Sequence, residues 1–139
     1  MSLDIRTSDG QLDFHIGYMG FTRMRSFFIL HYGKDLYEDY NHISMMIKPS
    51  DELDRLFEDL LIKIGDLSIL INHSDCDGEL TSKECKQLLP YLCVDEDKIN
   101  QASTVDNNTY YNRIICRMYD FIELVKYCAS NDDVKLIFG

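Results

Sequence analysis

Leu3-Asp4-Ile5-Arg6-Thr7 and Leu12-Asp13-Phe14-His15-Ile16 both alternate apolar and polar residues, with Ser8-Asp9-Gly10 between them. A period of two puts Leu3, Ile5, Phe14 and Ile16 on one face of a strand pair, and Gly10 supplies the turn. An apolar run suited to a strand returns at the far end of the chain, in Val134-Lys135-Leu136-Ile137-Phe138. The stretch between reads mainly as helix. Two strand-forming ends around a helical middle are joined most simply in one sheet. The expected fold is therefore α+β: a small antiparallel sheet of N-terminal hairpin plus C-terminal strand, packed against a helical bundle. The 139 residues suit a single domain, 1–139, large enough to bury its own core.

Gly17 and Gly20 interrupt the pattern after the hairpin, and a helical face begins at Phe21 with Met24, Phe28 and Tyr32 before Gly33. Residues 34–41 read as a helical turn or a loop, and 42–48 as a short strand or an extended lead-in to Pro49. Ser50 opens the clearest helix. Asp51, Glu52 and Asp54 favour its positive end, and Leu53, Leu56, Phe57, Leu60 and Ile64 form an apolar stripe expected in the core. A short helix is expected over 66–72, and another from Thr81, burying Cys85, Leu88, Leu89 and Leu92, with Pro90 as an early stop. Residues 94–108 read as a long polar connection. The last helix should span about 108–129 and face Tyr111, Ile114, Ile115, Met118, Phe121, Ile122 and Val125 inward.

The densest chemistry lies at His73-Ser74-Asp75-Cys76-Asp77-Gly78-Glu79-Leu80-Thr81-Ser82-Lys83-Glu84-Cys85. This stretch resembles one EF-hand calcium loop. With Gly78 at the invariant glycine, the oxygen-ligand positions fall on Asp75, Asp77, Glu79 (through its carbonyl), Thr81 and Glu84, while Leu80 takes the apolar position that points inward. His73 replaces the expected first ligand, and an imidazole nitrogen suits calcium poorly. The same residues also make a turn and a helix cap: Thr81 and Glu84 have capping-box spacing. No second loop of this kind exists in the chain. Calcium is the one cofactor the sequence brings to mind; weak or absent binding is expected, and no other cofactor is implied. A zinc set drawn from His73, Cys76, Cys85 and Cys93 lacks the two tight pairs of a structural site.

Twenty-four acidic residues against 14 basic give a formal charge of −10. Such a chain repels phosphate backbones, so the expected partner is a protein with a basic surface and not nucleic acid. No membrane span or secretory leader is visible, and five cysteines form no evident disulfide framework, so the expected location is the cytoplasm with free thiols. Acidic neighbours disfavour Cys76 as a nucleophile. Nucleophile-elbow, phosphate-loop, zinc-protease and dinucleotide signatures are all missing, so the reading leans away from an enzyme. Tyr32, Tyr37, Tyr40, Tyr110 and Tyr111 lie near carboxylates, as partner-binding tyrosines or as anchors at the core edge.

The segment His73–Glu79 followed by Glu84-Cys85 and a leucine-rich helix resembles uncharacterised bacterial proteins. That resemblance implies a cytoplasmic bacterial protein and supplies no site. The leading expectation is a non-catalytic acidic interaction protein, for example an immunity-type binder of a basic toxin. The alternatives are a calcium-regulated binding module acting through the 73–84 loop, and a small enzyme using that loop.

Overall fold

A computed structural model describes residues 2–45, 50–73, 77–102 and 108–139, excluding the side chains of Ser2 and of 108–110. The chain opens with β1 (Ser2–Thr7) and β2 (Asp13–Gly17), followed by helices α1 (Tyr18–Leu30), α2 (Lys34–Met45) and α3 (Asp51–Lys63). A 3-10 turn at Gly65–Leu67 leads into the short α4 (Ser68–Ile71). Next come a two-residue strand, β3 (Glu79–Leu80), and α5 (Ser82–Leu88), which Pro90 continues only as a 3-10 turn over Leu89–Tyr91. α6 (Glu96–Ala102), α7 (Asn108–Ala129) and β4 (Leu136–Phe138) complete the fold. Among the described residues, no helix is long and apolar enough to cross a membrane.

The four strands form one antiparallel sheet in the order β2-β1-β4-β3. This is the expected α+β arrangement with one addition: β4 is an inner strand, flanked by β1 on one side and by β3 on the other. Period-two patterning fixes the register. Leu3, Ile5, Phe14, Ile16, Leu80, Leu136 and Phe138 are buried, whereas Asp4, Arg6, Asp13 and His15 face outward. Ser8 N–H donates to the Lys135 carbonyl (2.8 Å), Gly139 N–H to the Asp4 carbonyl (2.8 Å), and Phe138 N–H to the Gly78 carbonyl (2.9 Å).

The helices meet the buried face through phenylalanines. Phe121 of α7 lies 5.9 Å from Phe14, 6.4 Å from Phe21 and 6.3 Å from Phe28, ring centre to ring centre. Phe21 in turn stands edge-on to Phe138 of β4 at 6.3 Å. Such tilted contacts are the favoured geometry for aromatic pairs.

Several sequence expectations are revised. α1 begins at Tyr18, so Gly20 lies inside it: a Cβ at Gly20 would stand 3.0 Å from Ile16 Cγ1, and the close approach of helix to strand uses the missing side chain. Residues 34–45 are one helix, with Tyr37 and Tyr40 buried; the strand considered over 42–48 is helical through Met45, and 46–49 lie outside the described residues. The polar connection contains α6. There the Asp95 carboxylate accepts from the Lys98 N–H (3.1 Å), and Ile99 is fully buried, so one cap and one apolar anchor suffice. In α3 only Leu60 of the helix proper is buried, with Ile64 just beyond it; Leu53, Leu56 and Phe57 are half-exposed.

Because β4 closes both halves of the sheet, Phe138→Ala is expected to cost roughly 3–5 kcal/mol, read as a lower urea midpoint. Deleting residues 134–139 should abolish the cooperative transition, since β3 loses its only partner and β1 is left paired with β2 alone.

Candidate functional site

Three surface regions hold groups that can do chemistry: the 73–84 loop, the outer faces of α2 and α3, and an arginine-bearing groove between β2, α1 and α7. The loop is built from below. α4 delivers His73, whose ring lies 4.3 Å from the Phe138 ring. Arg25, buried within α1 with its guanidinium 4.3 Å above the Phe21 ring, donates from Nη2 to the His73 carbonyl at 2.6 Å. Gly78 has φ +97°, and a Cβ there would meet the His73 ring at 3.2 Å. The sharp turn expected at Gly78 is present, and glycine is required twice over.

Leu80 is buried at the inward position, and Glu79 and Leu80 pair with Ile137 and Leu136 of β4. Thr81 is the N-cap of α5. Its hydroxyl accepts from the Glu84 N–H (3.2 Å), while Glu84 Oε1 accepts from the Thr81 N–H (3.0 Å) and hydroxyl (3.1 Å). The carboxylate that would be the bidentate calcium ligand is thus turned to its own helix end. The Glu79 carboxylate faces Lys135 Nζ at 3.1 Å. Asp77 is exposed, and Asp75, with Cys76, lies outside the described residues. Among the described residues, no three His, Cys, Asp or Glu side chains converge as a metal site.

Cys85 and Cys128 are both buried; the neighbouring Cys128 thiol, reinforced by burial, pushes the Cys85 thiol well above its ordinary range. Cys85 accordingly packs in the core. The tyrosines divide likewise: Tyr37 and Tyr40 are buried, and Tyr32 and Tyr111 pack at the core edge. Burial of Tyr32 pushes its pKa up to about 12.

The second region is acidic. α3 exposes Asp51, Glu52, Asp54, Glu58 and Asp59, and neighbouring α2 exposes Asp35 and Glu38. Ile62 stands 79% exposed one turn beyond Glu58, and Met45 at the end of α2 is 80% exposed. Leu53 and Leu56 lie outside the core cluster.

The third region escaped the sequence reading. Arg23, Arg113 and Arg117 border one groove, although 90 residues separate the first pair. The available signal was the i,i+4 spacing of Arg113 and Arg117, which places both on one side of α7.

No family model matches the chain, and neither a curated protein nor a solved structure shows significant similarity to it. The geometry alone therefore carries the functional reading.

Three outcomes follow from the loop's geometry. The unmodified protein should show no calcium binding at micromolar concentrations by calorimetry, and His73→Asp should bind more tightly because it adds an oxygen ligand. Thr81→Ala should cost about 1 kcal/mol of stability through the lost cap. A separate check concerns His15 on the outer face of β2. Its hydrogen bond to Asp4, aided by Asp13, raises its pKa above 6.5. The protonated pair contributes fully below the unfolded value and is lost as pH rises through the folded one. An NMR titration should place the His15 midpoint above 6.5, and Asp4→Asn should lower it.

Proposed function

We propose that the chain is a non-catalytic bacterial interaction protein, acting in the cytoplasm, that binds a basic protein through the exposed sides of α2 and α3. The observation that carries this reading is α3 itself. It has five carboxylates against two cations, all five exposed, and its leucines Leu53 and Leu56 stay outside the core. Apolar side chains rimmed by a strong excess of one charge suit a protein interface: burial supplies affinity, and the carboxylates steer a cationic partner and reject nucleic acid. An immunity-type role, in which this face covers the cationic surface of a toxin, fits that chemistry.

The calcium-regulated alternative is weakened because Glu84 spends Oε1 on the Thr81 cap. The enzyme alternative draws no support from the loop, where no nucleophile and base are paired among the described residues.

A partner recovered on the immobilised chain should be a basic protein, and its association rate should fall several-fold as salt rises from about 50 to 300 mM. Reversing Glu58 and Asp59 to lysine should weaken the complex at least tenfold, while reversing Lys86, on α5, should leave it unchanged. Tight binding of duplex DNA at moderate salt, or indifference to the α3 reversal, would overturn the proposal.

A further inference from the structure

The groove between the end of β2, the first turns of α1 and the middle of α7 has a volume of about 710 Å³ and is open to solvent. Its charged lining is entirely basic, in a chain of net charge −10: His15, Arg23, Arg113 and Arg117. Two of these four cations are already compensated. His15 pairs with Asp4 and with Asp13 (3.4 Å to the latter), and Arg117 pairs with Asp120 on its own helix at 3.6 Å. Among the described residues, neither Arg23 nor Arg113 has a carboxylate within ion-pair distance. Two uncompensated guanidiniums from different helices therefore border one space. Arg117 is available as a third, since an exposed pair one turn apart contributes little and is readily exchanged.

We propose that this groove is a binding site for an organic phosphate monoester. Three properties of the site select that chemistry. A guanidinium offers parallel N–H donors that match two oxygens of one anion, and a phosphate monoester presents three acceptor oxygens, enough for more than one such fork. Its charge of about −1.5 to −2 at neutral pH matches two uncompensated arginines, whereas a carboxylate would leave one unmatched. The remaining wall is apolar, formed by Ile16, Ile114 and the 84%-exposed Met19, and gives the organic substituent a surface that inorganic phosphate cannot use. The start of α1 borders the same space with Gly17 as N-cap, no side-chain cap and no acidic residue in its first turn, so nothing there opposes an anion. The site is independent of the acidic face of α3 and stands whether or not that face binds a basic protein.

The same phosphomonoester group could arrive on a free metabolite or on a phosphorylated side chain of a protein. Calorimetry and NMR at low salt distinguish these sources with phenyl phosphate, benzoate and a short phosphoserine peptide as probes. Phenyl phosphate should bind at least tenfold more tightly than benzoate and shift the side-chain Nε–H resonances of Arg23 and Arg113. The variant Arg23→Ala/Arg113→Ala should lose at least tenfold in affinity, Arg113→Lys should lose less, and Arg55→Ala on α3 should lose nothing. All these positions are at least partly solvent-accessible, and circular dichroism will show that the variants fold. A peptide that binds more tightly than phenyl phosphate supports a phosphorylated segment as the source, and the reverse order supports a free ester. Equal affinity in the double variant, or phenyl phosphate binding no better than benzoate, overturns the proposal.

Discussion

The pairing of β4 between β1 and β3 is the constraint on which the rest of the structure depends. Without it the N-terminal hairpin is a two-stranded ribbon, a unit marginal in water, and Glu79–Leu80 is two residues of turn with no partner. With it, both ends of the chain and its middle share one sheet whose buried face carries Phe14 and Phe138. Those rings then meet Phe121 and Phe21, which brings α7 and α1 onto the sheet. The contacts are almost all distant in sequence, so loop-closure entropy opposes them until several form together. A core assembled this way is cooperative by construction.

How much of this was legible in the residues follows from the range of each interaction. Strand alternation at Leu3–Ile16, the Ser50 cap and the long stripe of the last helix are local patterns, and they appear as expected. The failures have local causes of another kind. Gly20 reads as a breaker because nothing in its neighbourhood announces that Ile16 will pack against its bare Cα. α6 is concealed because a seven-residue helix needs only the Asp95 cap and the single anchor Ile99. β3 could not be read at all, since two residues carry no period, and their strand character comes from Leu136 and Ile137 more than fifty positions away. The candidate site divides the same way: the Gly78 turn and the Thr81–Glu84 box are visible in spacing, while the arginine groove joins residues that only the fold makes neighbours.

The surface charges gain meaning from that arrangement. Twenty-four acidic residues could have neutralised all 14 basic ones with ion pairs to spare. Most described ion pairs are exposed side-chain contacts of the kind that contribute little, so their distribution records local packing more than stability. Against that background, α3 concentrates carboxylates around half-exposed leucines, and the β2–α1–α7 groove keeps Arg23 and Arg113 away from them. The two regions present opposite chemistry to solvent. A single averaged number such as net charge conceals the second completely.

The 73–84 loop shows why a calcium-loop outline does not require calcium. An ion-binding loop must turn sharply, bury its apolar position, start a helix and converge several oxygens on one point. Here the first three tasks have other solutions. Gly78 takes φ +97° beneath the His73 ring, and Leu80 enters the core as β3 pairs with β4 in place of a second loop. Thr81 and Glu84 close the first turn of α5 between themselves. The entry is held as well, by Arg25 donating to the His73 carbonyl and by Phe138 under the imidazole. Only the fourth task needs an ion, and it competes for Glu84: ligation by both carboxylate oxygens would take Oε1 from the two hydrogen bonds it accepts at Thr81. A cation would therefore have to repay the lost cap as well as the missing oxygen at His73. The outline persists because protein contacts already satisfy the geometry that the metal would otherwise impose.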